Sequence, residues 1–376
     1  MNKWFATVLL LVSITFFSCG SVDKKVERFI AEGEYAGEYW PATEWRTCRP
    51  EEVGMNSQKL AKAFQYTADL RLKTEGVLVI RKGYIVGEAY MNGFSEGKRH
   101  KGYSIGKSVT CALTGIVIEQ GLIRGIDEKI CNYYEKWQEP GIDPAKKQMT
   151  IRHLLTMTGG LEWNEEDYYI NRDRNDVFRI YSESRDFIQY VLEKPVRTEP
   201  GKTWYYSSGE TILLSGLIEK VTGMPFAQFA DRYLFMPLGM SSVTWESDPS
   251  GRTLAAWGIE ATVRDYAKFG YLFLKKGRWD SLQVVPENWV SESTRPASDG
   301  IRHYGYLWWL APAFKDYPGS KIPPDTIIAV GIYIQMIYVI PSQDLVVVRV
   351  GNDPATGDVL WNSVDFLELV LDAINQ

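Results

Sequence analysis

Ser104 and Lys107 are the two residues whose types and spacing most directly suggest chemistry. They open a segment whose apolar residues recur at helical spacing, so a separation of three places both side chains on one helix face. A serine hydroxyl becomes a good nucleophile when a neighbouring base takes its proton, and a desolvated lysine can be that base. The pattern predicts a nucleophilic serine with a lysine base, although a helix-capping serine beside a surface lysine would show the same letters.

Other phrases of sequence accompany this pair in a fixed order. They are Met-Thr-Ile-Arg-His-Leu-Leu-Thr-Met-Thr-Gly-Gly-Leu at 149–161, Pro-Gly-Lys at 200–202 with Tyr-Ser-Ser at 206–208, Met-Pro-Leu-Gly-Met at 236–240, Ala-Val-Gly at 329–331 and Val-Ile-Pro-Ser at 339–342. With Ser-x-x-Lys, they resemble the serine β-lactamase and penicillin-binding-protein superfamily, in the branch of class C β-lactamases, esterases and nylon-oligomer (6-aminohexanoate-dimer) hydrolases. The resemblance implies an α+β fold, with an antiparallel sheet flanked by helices and an inserted all-helical lobe.

The resemblance implies a catalytic set in which Ser104 is acylated, Lys107 is its base and Tyr206 carries a proton to the leaving group. A protonated lysine beside Tyr206 would favour the phenolate. Ser208 stands where the family usually has asparagine, and its shorter hydroxyl argues against β-lactam turnover more than against catalysis. Trp163 is a candidate wall of the substrate cleft.

The third motif of the family, a strand resembling Lys-Thr-Gly, aligns with residues 332–334. By this alignment Tyr333 and Ile334 contact substrate, and the backbone N–H groups of Ser104 and Gln335 form the oxyanion hole. Ile334 stands where the family has glycine, so its side chain is expected to point into the cleft and narrow it for small or slender acyl groups.

Strand patterns lie at both ends of the chain, and mainly helical sequence lies between them. Residues 77–86 and 337–348 each read as a β-hairpin, and residues 360–374 have helical spacing. Both ends are therefore expected to build one sheet. We expect a hydrolase domain over residues 50–376, with its helical lobe at about 108–257.

The first residues read as a targeting segment. Lys3 precedes an apolar run that is short for a membrane span, and this run ends in Phe-Phe-Ser-Cys-Gly at 16–20. Residues 1–18 resemble a bacterial lipoprotein signal with lipid on Cys19, although an ordinary secretory signal with an incidental cysteine would look similar. Residues 19–49 would then form a polar tether and N-terminal extension, in a cell envelope and facing the periplasm.

Composition excludes some classes of partner. The net charge of −5 gives no basic stripe for nucleic acid, and the three histidines show no metal-binding spacing, so neither a metal nor another cofactor is expected. Three cysteines remain beside Cys19, an odd number that does not suggest a disulfide framework. The expected partners are a small ester, amide or peptide substrate and a membrane, reached through the lipid. The sequence leaves the oligomeric state open.

Rival interpretations remain open at this level. Gly-Tyr-Ser-Ile-Gly at 102–106 matches the nucleophile elbow of α/β-hydrolases, which would need His153 or His303 as a base and a buried strand before the serine. Peptidoglycan peptides or β-lactams are alternative substrates. A membrane-tethered binding protein with the same fold and little turnover is a third possibility. The favoured hypothesis is a serine hydrolase that forms an acyl-enzyme with an ester or small amide.

Overall fold

The computed structural model describes residues 29–166, 171–314, 319–353 and 361–375. Its centre is a six-stranded sheet in the order β2-β1-β11-β10-β9-β8, with every neighbouring pair antiparallel. The two predicted hairpins are the β1–β2 and β10–β11 pairs, and they meet through β1 and β11. The strands are β1 (Thr74–Arg81), β2 (Tyr84–Tyr90), β3 (His100–Lys101), β4 (Thr244–Trp245), β5 (Ile259–Ala261), β6 (Arg278–Trp279), β7 (Leu282–Gln283), β8 (Trp309–Leu310), β9 (Ile327–Gly331), β10 (Gln335–Ile340) and β11 (Leu345–Gly351).

Both faces of this sheet are buried, which explains why its strands read as unbroken apolar runs. In β1, Leu78 and Ile80 belong to one hydrophobic core, whereas Val77 and Val79 belong to another. The side chains alternate because successive residues of a strand point to opposite faces. The helices on the two faces therefore pack against opposite sides of the same strands.

The helices are α1 (Ser57–Thr67), α2 (Ile105–Glu119), α3 (Ile151–Leu155), α4 (Asp176–Glu183), α5 (Phe187–Glu193), α6 (Ser208–Thr222), α7 (Phe226–Ala230), α8 (Met236–Leu238), α9 (Val263–Leu274), α10 (Glu287–Ser293) and α11 (Ser363–Asp372). The terminal helices α1 and α11 cover one face of the sheet, and together they define the terminal-helix core. Gly87 of β2 lies under α1, where a Cβ would collide with the ring of Phe64. Helix α9 covers the other face, where α2 contacts β9 and β10.

The inserted segment is built around α2 and α6, which pack against each other. Residues 105–117 of α2 and 208–218 of α6 are all buried. Within residues 108–257, the described part of the chain forms helices, helical turns and the two-residue strand β4. Helices therefore dominate this segment, and the bounds of the lobe at about 108–257 stay a prediction.

Residues 29–31, which belong to the segment expected to form a polar tether and N-terminal extension, instead pair with β2. Ile30 forms a β-bridge with Gly87, and Ala31 N–H donates to Val86 O at 3.0 Å. The tether expectation is therefore wrong for these residues. Cys19 and the expected signal lie outside the described residues. None of the helices in the described ranges is long and apolar enough to cross a membrane. The remaining cysteines at 48, 111 and 131 are buried and free.

Candidate active site

Ser104 occupies the N-cap position of α2 without a capping hydrogen bond from its side chain, and Lys107 lies one turn further along the helix. Lys107 Nζ is 2.8 Å from Ser104 Oγ and 3.2 Å from the carbonyl oxygen of Ala256. Only 1% of Lys107 is exposed, because α2 is buried on all sides over its first turns. The structure thus brings together the serine and lysine that the spacing predicts.

The segment before Ser104 is held in an unusual conformation. Gly102 N–H donates to Ile259 O at 2.8 Å, continuing the pairing between β3 and β5. Tyr103 then has a φ of +48°, in the left-handed region that non-glycine residues rarely adopt. Such strain persists where surrounding contacts fix the backbone, and it is common beside catalytic residues. Here it turns the chain abruptly from β3 into α2 and leaves Ser104 at the bend.

Burial prepares Lys107 for the role of a base. Desolvation lowers the pKa of its ammonium to about 8, and the negative charge of Glu165 opposes part of this effect. At pH 7 about one lysine in ten would then be neutral and able to accept a proton. An exposed lysine would be neutral about once in several thousand molecules at this pH. The site therefore contains a much better base than lysine is in water.

Tyr206 lies beside the same pair. Lys107 Nζ is 4.8 Å from the centroid of the Tyr206 ring, and the ring of Trp309 stacks on Tyr206 at 5.9 Å. Desolvation raises the pKa of the phenol well above its usual value; the charge of Glu165 raises it further, and a hydrogen bond with the Ser104 side chain lowers it. Burial therefore favours the neutral phenol over the phenolate that the sequence led us to expect. A neutral phenol can donate a proton to a leaving group.

Glu165 is a member of this cluster that the sequence did not single out. Its Oε1 accepts hydrogen bonds at 2.5 Å from the backbone N–H of Ser208 and from the indole N–H of Trp163. Its charge affects the pKa of both Lys107 and Tyr206. The only sequence signal was its place in the charge-rich segment after Trp163, which does not distinguish it from the neighbouring acids.

Two predicted substrate contacts are buried. Trp163 is 1% exposed, and its ring packs so closely on α6 that a Cβ on Gly209 would lie 2.7 Å from it. The expectation that Trp163 lines the cleft is wrong. Its ring packs against the buried side of α6, and its indole N–H binds Glu165. Ser208 is also buried, as the first residue of α6, directly after the capping residue Ser207.

Residues 332–334 form a turn between β9 and β10, so the expectation of a strand there is wrong. Tyr333 and Ile334 have φ values of +61° and +64°. Ile334 packs against the terminal-helix core, on the sheet face opposite α2, so its side chain does not narrow the cleft. Tyr333 remains near the site, with its ring edge-on to Tyr103 at 5.4 Å. The strand before this turn is β9, which ends at Gly331.

The end of β9 lies against the segment that leads to the nucleophile. A Cβ on Gly331 would collide with the carbonyl oxygen of Gly102, so glycine permits the two backbones to touch. Within the described residues, the backbone N–H groups of Ser104 and Ile332 donate to no acceptor. Gln335, the residue predicted as an oxyanion donor, pairs with Gly331 in the sheet, and its side chain is fully buried.

The histidines do not form a catalytic triad with Ser104. Among the described residues, the side-chain partners of Ser104 are Lys107 and Tyr206. His153 caps α3, where its Nδ1 accepts from the backbone N–H of Thr150. The segment before Ser104 is the two-residue strand β3 rather than a long buried strand, so the α/β-hydrolase interpretation is wrong. The described residues also hold no cluster of metal ligands.

The chain is similar to known hydrolases in sequence and in fold. The chain is 23% identical over 312 residues to the 6-aminohexanoate-dimer hydrolase of Paenarthrobacter ureafaciens, covering 77% of this chain and 76% of that protein. Among solved structures, it resembles EstCE1, a hydrolase with promiscuous acyltransferase activity, with a TM-score of 0.68 and 16% identity over 85% of this chain and 99% of the other. A family VIII carboxylesterase has a TM-score of 0.64 and 15% identity, over 84% and 96% of the two chains.

The resemblance indicated by the sequence motifs is confirmed, because the Beta-lactamase family as a whole matches most of this chain. The fold is the predicted β-lactamase/transpeptidase type. The Beta-lactamase family matches residues 62–364, which include α2, α6 and the whole central sheet. This protein belongs to the β-lactamase family.

Proposed function

We propose that this protein is a serine hydrolase that cleaves a carboxylic ester or a small amide through an acyl-enzyme. The observation that carries the proposal is the 2.8 Å contact between Ser104 Oγ and the Nζ of a fully buried lysine. Burying an amine is unfavourable, so a binding protein would gain nothing from holding a lysine against a serine, whereas a hydrolase uses the lowered pKa. The names of the similar hydrolase and esterases support the same chemistry.

In the proposed acylation, neutral Lys107 takes the proton of Ser104, whose Oγ attacks the substrate carbonyl carbon. The carbonyl oxygen becomes an oxyanion as the new C–O bond forms. When the bond to the leaving group breaks, Tyr206 donates its proton to that group and is reprotonated by the Lys107 ammonium. Water repeats the steps on the acyl-enzyme, so that the acid is released and Ser104 regains its proton.

For the oxyanion hole we propose the backbone N–H groups of Ser104 and Ile332, with Ile332 in place of Gln335. Both groups lack an acceptor within the described residues, and the contact between Gly331 and Gly102 brings their segments together. An oxyanion donor contributes about 2.7–4 kcal/mol to the stability of the transition state. The Ile332 N–H is better suited than that of Gln335, which belongs to a residue already paired in the sheet.

The structure also bears on the choice of substrate. Because Ile334 lies on the far face of the sheet, its side chain does not restrict the acyl group in the way that the sequence suggested. Ser208 has no amide to grip a β-lactam carbonyl, so we favour esters and small amides over penicillins and peptidoglycan peptides. We further propose that lipid on Cys19 holds the domain at the bacterial cell envelope, on the periplasmic side.

A substrate panel tests the proposed activity. The protein is incubated with p-nitrophenyl acetate and butyrate, short amides and a chromogenic cephalosporin, beside the variants Ser104→Ala and Ser281→Ala. Ser281 is exposed in the β6–β7 hairpin, away from the site, and serves as the matched control. Ester or amide turnover that only Ser104→Ala abolishes supports the proposal. Absence of turnover on every substrate, or turnover that survives Ser104→Ala, contradicts it.

A further inference from the structure

We propose that Gln335 and Arg349 act together as positioning residues that hold the 332–334 turn and thereby fix the Ile332 N–H for the oxyanion. We call this pair the turn clamp. The inference rests on the proposed function, since it concerns the same oxyanion hole. Neither residue is expected to touch substrate, because both side chains are fully buried.

The turn clamp binds every carbonyl oxygen of the turn. Gln335 Nε2 donates to Ile332 O and to Tyr333 O, both at 3.1 Å. Arg349 Nη1 donates to Tyr333 O at 3.2 Å and to Ile334 O at 2.9 Å. All three carbonyl groups are therefore drawn toward the buried side of the turn, while the Ile332 N–H is left without an acceptor among the described residues.

The clamp is itself anchored in the sheet. Gln335 exchanges two hydrogen bonds with the backbone of Gly351, at 2.6 and 3.0 Å. Arg349 Nη2 donates to Leu72 O and to Thr74 Oγ1, and it forms an ion pair with the buried carboxylate of Asp353. The turn is thus tied to β11 and to the start of β1, which are rigid parts of the fold.

The conformation of the turn explains why such a clamp is needed. Tyr333 and Ile334 both have positive φ, a conformation that is unfavourable for residues other than glycine. Hydrogen bonds from a charged donor are stronger than those from a neutral donor. They are stronger still in the buried interior, where water does not compete for the acceptor. The clamp therefore stabilises a backbone that glycine would otherwise be needed to form.

A loosened clamp is expected to slow the chemical step and to leave ground-state binding nearly unchanged, because the oxyanion exists only in the transition state. The test uses Gln335→Met, which removes the amide at similar volume, and Gln335→Glu, which keeps the acceptor for Gly351 N–H but loses the donor. We expect kcat for an ester to fall at least tenfold, with KM within about threefold. Affinity for a phenylboronic acid, which forms a tetrahedral anion on the serine, is expected to fall by the same factor as kcat.

Two further variants separate positioning from loss of stability. Val347→Ala removes buried volume from β11 without touching the turn, so it is the control for destabilisation alone. Ile334→Gly, added to Gln335→Met, removes the strain of a positive φ and is expected to restore part of kcat. The proposal is overturned if either folded Gln335 variant keeps the wild-type kcat and boronate affinity. It is also overturned if Val347→Ala loses as much kcat and boronate affinity as the Gln335 variants do. Failure of the proposed function would differ, since the wild type itself would then lack turnover.

Discussion

The pH dependence of acylation gives the most quantitative test of the base. Lys107 can accept the Ser104 proton only when it is neutral, and burial lowers its pKa to about 8. Below that pH, the neutral fraction falls about tenfold per pH unit, to about one-tenth at pH 7 and about one-hundredth at pH 6. We expect kcat/KM for an ester to follow this fraction, rising with pH to a plateau above about pH 8.

Substituting Glu165 is expected to shift the dependence of kcat/KM on pH, because its negative charge acts on Lys107. The carboxylate raises the pKa of Lys107 by favouring the ammonium, so Glu165→Gln is expected to shift the rising limb to lower pH. The glutamine keeps an oxygen that can accept from the Ser208 N–H and the Trp163 indole, as Oε1 does now. At pH 6.5 the variant is therefore expected to retain a larger fraction of its own plateau kcat/KM than the wild type does.

The assay is the initial rate of p-nitrophenyl ester cleavage between pH 5.5 and 9.5, corrected for spontaneous hydrolysis, with kcat/KM fitted at each pH. The value of kcat/KM reports the free enzyme, in which Lys107 has the surroundings described above. A limb near pH 6.5 that disappears in His303→Gln would identify a histidine as the base and refute the reasoning. A shift of the limb to higher pH in Glu165→Gln would refute the assigned direction.

Three other substitutions give further tests. Tyr206→Phe keeps the ring that stacks on Trp309 but removes the proton donor, so kcat for a poor leaving group is expected to fall about 100-fold; an equal rate would exclude Tyr206 as the acid. Lys107→Met removes a buried amine whose pKa desolvation lowers to about 8, so urea unfolding at pH 7 is expected to show a stabilisation of about 1–3 kcal/mol. A less stable variant would contradict this sign. Gly87→Ala forces a methyl group into the ring of Phe64 and is expected to lower stability by about 1–3 kcal/mol; unchanged thermal unfolding would contradict the close packing of α1 on β2.

The parts of the fold that the sequence predicted are those governed by local pattern. Apolar runs at 77–86 and 337–348 predicted the two hairpins because strand periodicity and turn residues lie close together in sequence. The contact of Ser104 with Lys107 followed from helix geometry alone. These features need no knowledge of distant residues.

The features that the sequence missed depend on contacts between distant residues. The turn at 332–334 is hydrogen-bonded by the buried side chain of Arg349, which the pairing of β10 with β11 brings near. The neutral state of Tyr206 follows from its burial, which no local pattern reveals. Glu165 reaches the site because its carboxylate binds the N-terminus of α6, more than forty residues away in sequence.

The central claim, that Ser104 is an activated nucleophile, is tested most directly by intact-mass analysis after treatment with a fluorophosphonate. The protein is compared with its Ser104→Ala and Ser281→Ala variants, and the labelled peptide is sequenced. The account predicts one adduct per chain, located on Ser104, lost in Ser104→Ala and retained in Ser281→Ala. An unlabelled wild type, or an adduct on another residue, would contradict it.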